Sequence, residues 1–161
     1  MHVRALTSED LPAVLVLNRD HEEMLSPLDA DQLATLVDIS LASWVAEVDG
    51  AIVGFAICLG PGAAYASDNY RWFTERYDDF VYLDRIAVDS SARRAGVGGA
   101  LYDALDALAS ERRVPALCEV NLVPRNDPSL AFHATRGFEC VGELAHDGGK
   151  VVRMFARPHD R

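Results

Sequence analysis

The chain contains 161 residues, half of them hydrophobic, and its 25 acidic and 15 basic residues give a formal net charge of −10. A chain of this size and composition is expected to fold as one globular domain over residues 1–161, which excludes an intrinsically disordered protein. The acidic charge argues against a nucleic-acid partner, because nucleic-acid binding needs a basic surface. No apolar run reaches the length of a membrane span and no signal peptide is recognisable, so we expect a cytoplasmic protein without a membrane partner.

The first sixty residues alternate between strand and helix patterns. Ser8-Glu9-Asp10 offers a helix N-cap followed by an acidic first turn, and Asp29 is a second candidate N-cap. Asp49-Gly50 is a strong signal for a tight hairpin turn. The predicted elements are a strand over 3–6, a helix from residue 8, a helix over 29–38, and strands over 43–48 and 51–59.

A long aromatic-rich segment follows Gly60-Pro61-Gly62 and extends to Asp79. Excursions of this length in a compact domain are usually functional lids or binding loops. A helical turn is expected over residues 70–77. The aromatic side chains either contact a substrate or pack the segment against the domain, and the sequence favours neither interpretation. They are Tyr65, Tyr70, Trp72, Phe73 and Tyr77.

The second half of the chain predicts a parallel β-α-β unit, a short helix and a closing hairpin. A strand over 80–88, an amphipathic helix over 96–110 and a strand over 116–123 have the lengths of a right-handed crossover. Strands over 139–144 and 151–156 follow the short helix. The predicted fold class is therefore α/β, with a mixed sheet that is antiparallel at first and parallel in the middle.

The three cysteines predict neither a disulfide framework nor a metal site. Cys58, Cys118 and Cys140 are far apart and lie within apolar runs. Their odd number and spacing favour buried free thiols in a reducing compartment. No cysteines or histidines have metal-ligand spacing, so no metal cofactor is expected.

The run Arg93-Arg94-Ala95-Gly96-Val97-Gly98-Gly99 lies between the strand over 80–88 and the long helix, and it predicts a phosphate site. The first turn of a helix has free N–H groups, glycines let a ligand approach the backbone, and two arginines add charge. A dinucleotide fingerprint is excluded because its third glycine would fall on Leu101. A P-loop is excluded because the only lysine of the chain is Lys150.

A second block, from Asn126 to Phe138, reads as a short helix with clear ends. Asp127 is a suitable N-cap, Pro128 suits the first helical position, and Gly137 suits a left-handed stop. Together the two blocks resemble the pyrophosphate loop and the C-terminal motif of the GNAT superfamily of acetyl-CoA-dependent N-acetyltransferases, in order and spacing, over residues 81–142.

This resemblance implies a GNAT-like mixed sheet whose two central parallel strands splay apart to admit the pantetheine arm of acetyl-CoA. It implies that backbone N–H groups near Ala87 and Val88 polarise the thioester, that the arginine–glycine loop holds the pyrophosphate, and that Asn126 binds the pantetheine arm with help from Ser129. The cofactor-binding residues implied are Ile86, Ala87, Val88, Arg93, Arg94, Gly96, Val97, Gly98, Gly99, Asn126 and Ser129.

His133 stands where many members of this superfamily have a tyrosine that protonates the leaving thiolate. A free imidazole is mostly neutral at pH 7, because its reference pKa is about 6.5. His133 therefore acts as an acid if a carboxylate raises its pKa, acts as a base, or is a hydrogen-bonded structural residue of the helix.

Glu119 is the candidate general base, because an unpaired carboxylate inside an apolar strand would be costly. A strand glutamate before the asparagine motif has this role in some N-terminal-amine acetyltransferases that the segment resembles, although here two extra residues separate the strand from Asn126. Tyr82 and Asp84 are alternatives on the neighbouring strand, on one face by the two-residue period. A structural pairing of Asp84 with Arg85, or of Glu119 with an arginine, is the competing interpretation.

Glu22, Glu23, Tyr70 and Trp72 are the predicted walls of the acceptor site, since the corresponding regions flank the acceptor in this superfamily. The acidic charge and aromatic rings favour a cationic amine. The function indicated is acetyl transfer from acetyl-CoA to an amine of a small molecule or peptide N-terminus. The alternatives are a non-catalytic acyl-CoA-binding regulatory module and an acyltransferase with another acyl-CoA or acceptor. Both a monomer and a homodimer remain open.

Overall fold

A computed structural model describes residues 1–93 and 95–159 of the chain. Seven strands form one mixed sheet in the order β1-β2-β3-β4-β5-β7-β6. The strands are β1 (His2–Ala5), β2 (Ala42–Val48), β3 (Ala51–Leu59), β4 (Val81–Val88), β5 (Ala116–Val123), β6 (Glu139–Ala145) and β7 (Val151–Arg157). The α-helices are α1 (Leu11–Asp20), α2 (Ala30–Ile39), α3 (Asp68–Thr74), α4 (Val97–Arg112) and α5 (Asp127–Thr135).

Local signals account for several of these boundaries. Asp49 and Gly50 both adopt positive φ angles, 52° and 80°, as a tight turn between β2 and β3 requires. Asp29 forms a capping box with Gln32 at the start of α2: the Gln32 N–H donates to Asp29 Oδ1 at 2.7 Å, and the Asp29 N–H donates to Gln32 Oε1 at 2.9 Å. The predicted hairpin and second helix are thus confirmed.

Four local predictions differ from the structure. The helix expected from residue 8 is instead a 3₁₀ turn over Ser8–Asp10 with Thr7 as its N-cap, and α1 begins only at Leu11. Asn126, not Asp127, caps α5, because its side-chain oxygen accepts the Ser129 N–H at 3.3 Å. The helix in the aromatic segment begins earlier than expected, at Asp68, because the Ser67 hydroxyl caps it. Cys140 is exposed, because β6 is an edge strand, whereas the other two cysteines are buried free thiols.

The two central parallel strands separate soon after they pair. β4 and β5 are in register only at Val81↔Ala116 and Tyr82↔Leu117. A β-bulge in β4 follows at once, because Leu83 pairs with Cys58 and Arg85 with Ile57, which leaves Asp84 as the extra residue. A bulge bends the strand that carries it, and beyond this point no described residue of β4 pairs with β5, so the sheet has the splayed centre that the fold prediction implied.

Helices cover both faces of the sheet. α1, α2 and α3 pack against one face, where Leu33 and Phe73 are fully buried. α4 and α5 pack against the other face, where Leu101 and Leu105 are almost fully buried. The opening between β4 and β5 therefore connects two helix-covered faces. Within the described ranges, no helix is both long enough and apolar enough to cross a membrane.

Candidate functional site

A cavity of about 250 Å³ occupies the opening between β4 and β5. Its floor comes from the two strands, and its walls come from the segment after α1, from α4 and α5, and from the residues around the β6–β7 turn. The polar residues that line it are His21, Asn69, Asp84, Arg93, Tyr102, Glu119, Asn121, Ser129, His133 and Lys150. Few such groups are expected inside a sheet without a function, because burying polar side chains is costly.

Glu119 extends from β5 into this cavity and is held by two neighbours. The Tyr82 hydroxyl contacts both carboxylate oxygens, at 2.9 and 2.8 Å, and Asn69 Nδ2 donates to Oε1 at 3.1 Å. Burial, and then the nearby charge of Asp84, raise the pKa of Glu119 to about 8. Glu119 can therefore exchange a proton near neutral pH.

Asp84 lies beside Glu119 because of the bulge. Its carboxylate accepts the Tyr65 hydroxyl at 2.9 Å and lies 3.4 Å from the Arg85 guanidinium. Burial raises the pKa of Asp84, while the charge of Arg85 opposes that shift. The expected Asp84–Arg85 pair is thus present, and Asp84 lines the cavity as well.

Arg85 also anchors one wall of the cavity. It is 4% exposed, and it donates to Asn18 Oδ1 at 3.0 Å and to the Ser26 carbonyl at 2.6 Å. These bonds tie the last turn of α1 to Ser26 in the segment that follows it, and Met24 and Leu25 of that segment reach the cavity. A buried guanidinium needs hydrogen-bond acceptors, and the acceptors at Asn18 and Ser26 fix this wall.

His133 is 4% exposed on α5, and protein groups engage both of its ring nitrogens. Nδ1 lies 2.6 Å from the Ser129 carbonyl oxygen, which can only accept, so Nδ1 carries a proton. Nε2 lies 2.5 Å from the Tyr102 hydroxyl. Burial lowers the pKa of His133. In its neutral form His133 thus accepts the Tyr102 proton, and no ring proton remains to face the cavity.

The N-terminus of α4 borders a groove of about 360 Å³ next to the cavity. Gly96 precedes the helix with φ of 81°, a left-handed conformation that favours glycine. Arg93 and Val88 line both the groove and the cavity, which makes the two spaces neighbours. The groove is lined by Val88, Ala92, Arg93, Gly96, Val97, Gly98, Gly99 and Phe132. Arg94, also predicted at this loop, lies outside the described residues.

The remaining residues predicted to bind the cofactor divide into two groups. Ile86, Ala87 and Val88 line the cavity along β4, together with Ser129 at the start of α5. Asn126 instead uses its side chain to cap α5. The cavity and the groove thus bring together every described residue of the predicted cofactor set except Asn126.

The predicted acceptor walls are only partly brought together. Tyr82 and Asp84 lie at Glu119, but Glu22 and Glu23 are exposed outside the cavity, between the lining residues His21 and Met24. Tyr70 is 4% exposed, and its hydroxyl donates to the Gly60 carbonyl at 2.7 Å, so it fastens the aromatic segment to the domain.

Trp72 also packs away from the cavity. It lies under the Arg76 guanidinium, 3.8 Å from the ring centroid. A Cβ atom at Gly142 would come within 2.5 Å of its ring, so the indole fills the space that this glycine leaves. Most of the aromatic segment therefore packs α3 against the domain, because large apolar rings gain more from burial than from lining a polar cavity.

Sequence reasoning missed five polar residues of the cavity, which are His21, Asn69, Tyr102, Asn121 and Lys150, and it also missed His146, which contacts Asn69. Asn69 and His146 lie in segments that carry no motif, and Lys150 was noted only as the single lysine. Tyr102 belongs to the apolar face of α4, and its hydroxyl on that face was the only sequence signal. No group of three or more metal-ligating side chains occurs in the described part of the chain.

Comparison with known proteins agrees with this architecture. A family model described as the acetyltransferase (GNAT) family matches residues 7–138. No curated protein sequence matches the chain.

Several solved structures have similar folds. Ard1 from Thermoplasma volcanium has a TM-score of 0.77 at 22% identity, over 99% of this chain and 98% of that one. The ribosomal-protein-alanine N-acetyltransferase from Brucella melitensis has a TM-score of 0.75 at 24% identity, over 98% and 99%. The ribosomal-protein-S18-alanine N-acetyltransferase from Escherichia coli has a TM-score of 0.74 at 21% identity, over 99% and 94%. At these identities the likeness concerns the fold.

Proposed function

Because the chain belongs to the acetyltransferase (GNAT) family, we propose that it transfers an acetyl group from acetyl-CoA to an amine of a small molecule or a peptide N-terminus. The observation that carries this proposal is the cavity between β4 and β5, which has a glycine-rich helix N-terminus on one side and the Glu119 carboxylate on the other. A helix N-terminus suits a pyrophosphate and a carboxylate suits an amine proton, so the two ends match the two substrates. All three cysteines are free, which fits the cytoplasm as the proposed location.

The residues of the α4 N-terminus fit the pyrophosphate of acetyl-CoA. A Cβ atom built on Gly98 would have only Val88 Cγ2 within 4 Å, at 3.9 Å, so the backbone there is open to a ligand. Arg93 adds a positive charge at the same place. Beyond Tyr82 the edge of β4 pairs with no described residue of β5, so its backbone groups are available to the pantetheine arm and the thioester carbonyl. Bound there, acetyl-CoA supplies the acetyl group in an activated form.

Glu119 is the proposed base for the acceptor. An amine attacks a thioester only after the ammonium has lost a proton, and a base works best when its pKa is close to the working pH. A pKa of about 8 for Glu119 meets that condition. Tyr82 and Asn69 fix the carboxylate in place, and the formal net charge of −10 favours the approach of a cationic acceptor.

Tyr102, oriented by His133, is the proposed polar group on the cofactor side. Its hydroxyl proton is committed to Nε2 while His133 is neutral, so its oxygen can only accept a hydrogen bond from the cavity. When His133 gains a second proton, its Nε2–H donates to the Tyr102 oxygen. The Tyr102 hydroxyl can then donate its own proton to the leaving thiolate. The protonated form of His133 becomes more populated as the pH falls. Because burial lowers the pKa of His133, this form needs a lower pH than a free imidazole would.

The competing function, a non-catalytic acyl-CoA-binding module, draws support from the buried and fully engaged His133. The Glu119 carboxylate, which has a strongly raised pKa inside the cavity, argues against a non-catalytic module. Such groups are found at sites that use them, because desolvating a carboxylate costs stability. We therefore favour the enzyme.

The test is to incubate the protein with acetyl-CoA and a panel of amines that includes small amines, amino-acid derivatives and peptides with free N-termini, while free thiol release is followed. Turnover with at least one acceptor, and acetylation of its amine by mass spectrometry, is expected. Glu119→Gln should abolish most of it, whereas Glu111→Gln, an exposed change on α4, should not. Tight CoA binding without turnover on any acceptor would favour the module.

A further inference from the structure

The hydrogen bonds around Glu119 continue beyond its direct neighbours. Asn69, in the first turn of α3, donates through Nδ2 to Glu119 Oε1 at 3.1 Å. The Oδ1 atom of the same amide lies 2.8 Å from Nε2 of His146, which stands in the β6–β7 turn. These two hydrogen bonds link His146 through Asn69 to one carboxylate oxygen of Glu119. They connect the β6–β7 turn, α3 and β5, which are far apart in sequence.

The direction of these bonds follows from the chemistry of the amide. A primary amide has one donor end and one acceptor end, so Asn69 must accept from His146 if it donates to Glu119. His146 meets this requirement when Nε2 carries a proton. The opposite arrangement would turn the Asn69 oxygen toward Glu119, which only a protonated Glu119 could satisfy. An Nε2–H on His146 therefore favours the ionised carboxylate.

We propose that Asn69 and His146 are positioning residues for Glu119: His146 orients the Asn69 amide, and Asn69 in turn stabilises the ionised form of the Glu119 carboxylate and fixes it in the cavity. Neither residue needs to touch a substrate for this role. The importance of the role for catalysis rests on the proposed function, but the effect on the ionisation of Glu119 does not.

Other charged and titratable groups also act on Glu119, and they remain in place when Asn69 or His146 is changed. Asp84 of β4 disfavours the ionised form of Glu119, and Lys150, at the end of the β6–β7 turn, favours it. The Tyr82 hydroxyl donates to Glu119, and the Tyr65 hydroxyl donates to Asp84. On the other face of β5, the neighbouring thiol of Cys118 is buried.

The test titrates Glu119 directly in the free protein. Carboxyl carbons of glutamate are labelled with ¹³C, the Glu119 signal is assigned by its loss in Glu119→Gln, and its pKa is read from the chemical shift. Asn69→Leu and His146→Phe should each raise this pKa, by about one pH unit for a lost hydrogen bond to a charged group. His146→Gln, which keeps an N–H donor, should restore a value near that of the unchanged protein.

The same variants separate the two proposals. His2→Phe, at an exposed histidine of β1, is the matched control and should leave the titration unchanged. If turnover is found, the pH at which kcat/KM rises should move upward with the Glu119 pKa in Asn69→Leu and His146→Phe. An unchanged Glu119 pKa in folded Asn69→Leu would overturn the positioning role. A shifted pKa in a protein that acetylates nothing would support the positioning role and refute the proposed function.

Discussion

Replacing Gly98 by alanine should weaken CoA binding while leaving the fold intact or more stable. Gly98 lies in the first turn of α4, and its φ is not among the positive values that would exclude a side chain. The added methyl group would meet only Val88 Cγ2, at 3.9 Å, an ordinary contact. Alanine is favoured over glycine within a helix by about 0.5–1 kcal/mol. For a domain of this size we expect the melting temperature to rise by about 1–4 °C.

The same methyl group should be harmful when a phosphate binds. A phosphate oxygen that accepts a helix N–H must approach the backbone to hydrogen-bond distance, and the Cβ atom would occupy part of that space. Losing one hydrogen bond to a charged group costs about 1.5–3 kcal/mol. The dissociation constant of CoA should therefore increase by about 10- to 150-fold.

Isothermal titration calorimetry with CoA and thermal unfolding measure the two effects separately. Ser110→Ala provides the control, since it raises helix propensity at the exposed far end of α4 without touching the glycine turn. It should raise the melting temperature slightly and leave CoA affinity unchanged. A Gly98→Ala protein that is folded and binds CoA as tightly as the unchanged protein would refute the placement of the pyrophosphate at this turn.

Three further predictions follow from the site and the core. Glu119→Gln should lower kcat by about 10²–10⁴-fold. In Tyr102→Phe, which lacks the second pH-dependent group, kcat/KM should rise with pH through about 8, because only the ionised carboxylate accepts a proton; a flat profile in steady-state assays would contradict this. Tyr102→Phe should cost more activity at about pH 6 than at about pH 8, because the pair donates only when His133 is protonated; an equal loss at both pH values would exclude that donor role. Asp10→Asn should lower the free energy of unfolding at neutral pH by about 1–2 kcal/mol, because the hydrogen bonds of Asp10 with Arg4 lower the pKa of Asp10 from 3.8 to about 2. This stabilisation is present above pH 3.8 and is lost as the pH falls through 2. The denaturation curves of the variant and the unchanged protein should therefore converge in acid.

Local sequence determined most of the secondary structure and predicted most of the residues that line the groove at the N-terminus of α4. The Asp49-Gly50 turn, the Asp29 cap and the Gly96 start of α4 each depend on the conformational preferences of one or two residues, and the structure agrees with all three. The arginine–glycine run and the block from Asn126 to Phe138 combine neighbouring residues into motifs. Such features can be read in the sequence because nearby residues supply all their interactions.

The tertiary structure decided the rest of the site. The bulge at Asp84 depends on how β4 pairs with β3, and the bulge places Asp84 and the anchoring Arg85 on the same side. Likewise, the two-residue period placed Tyr82 and Asp84 on one face of a strand, but it did not predict the hydrogen bond between Tyr102 and His133.

The partners of Glu119 are the clearest example of contacts that the sequence could not predict. Asn69 and His146 lie 77 residues apart and meet only after α3 and the β6–β7 turn have packed over the opening in the sheet. Strand register and helix packing set such contacts, and they depend on the whole core rather than on any local pattern. The sequence thus predicted a phosphate site at the arginine–glycine run, whereas folding determined which side chains surround the Glu119 carboxylate.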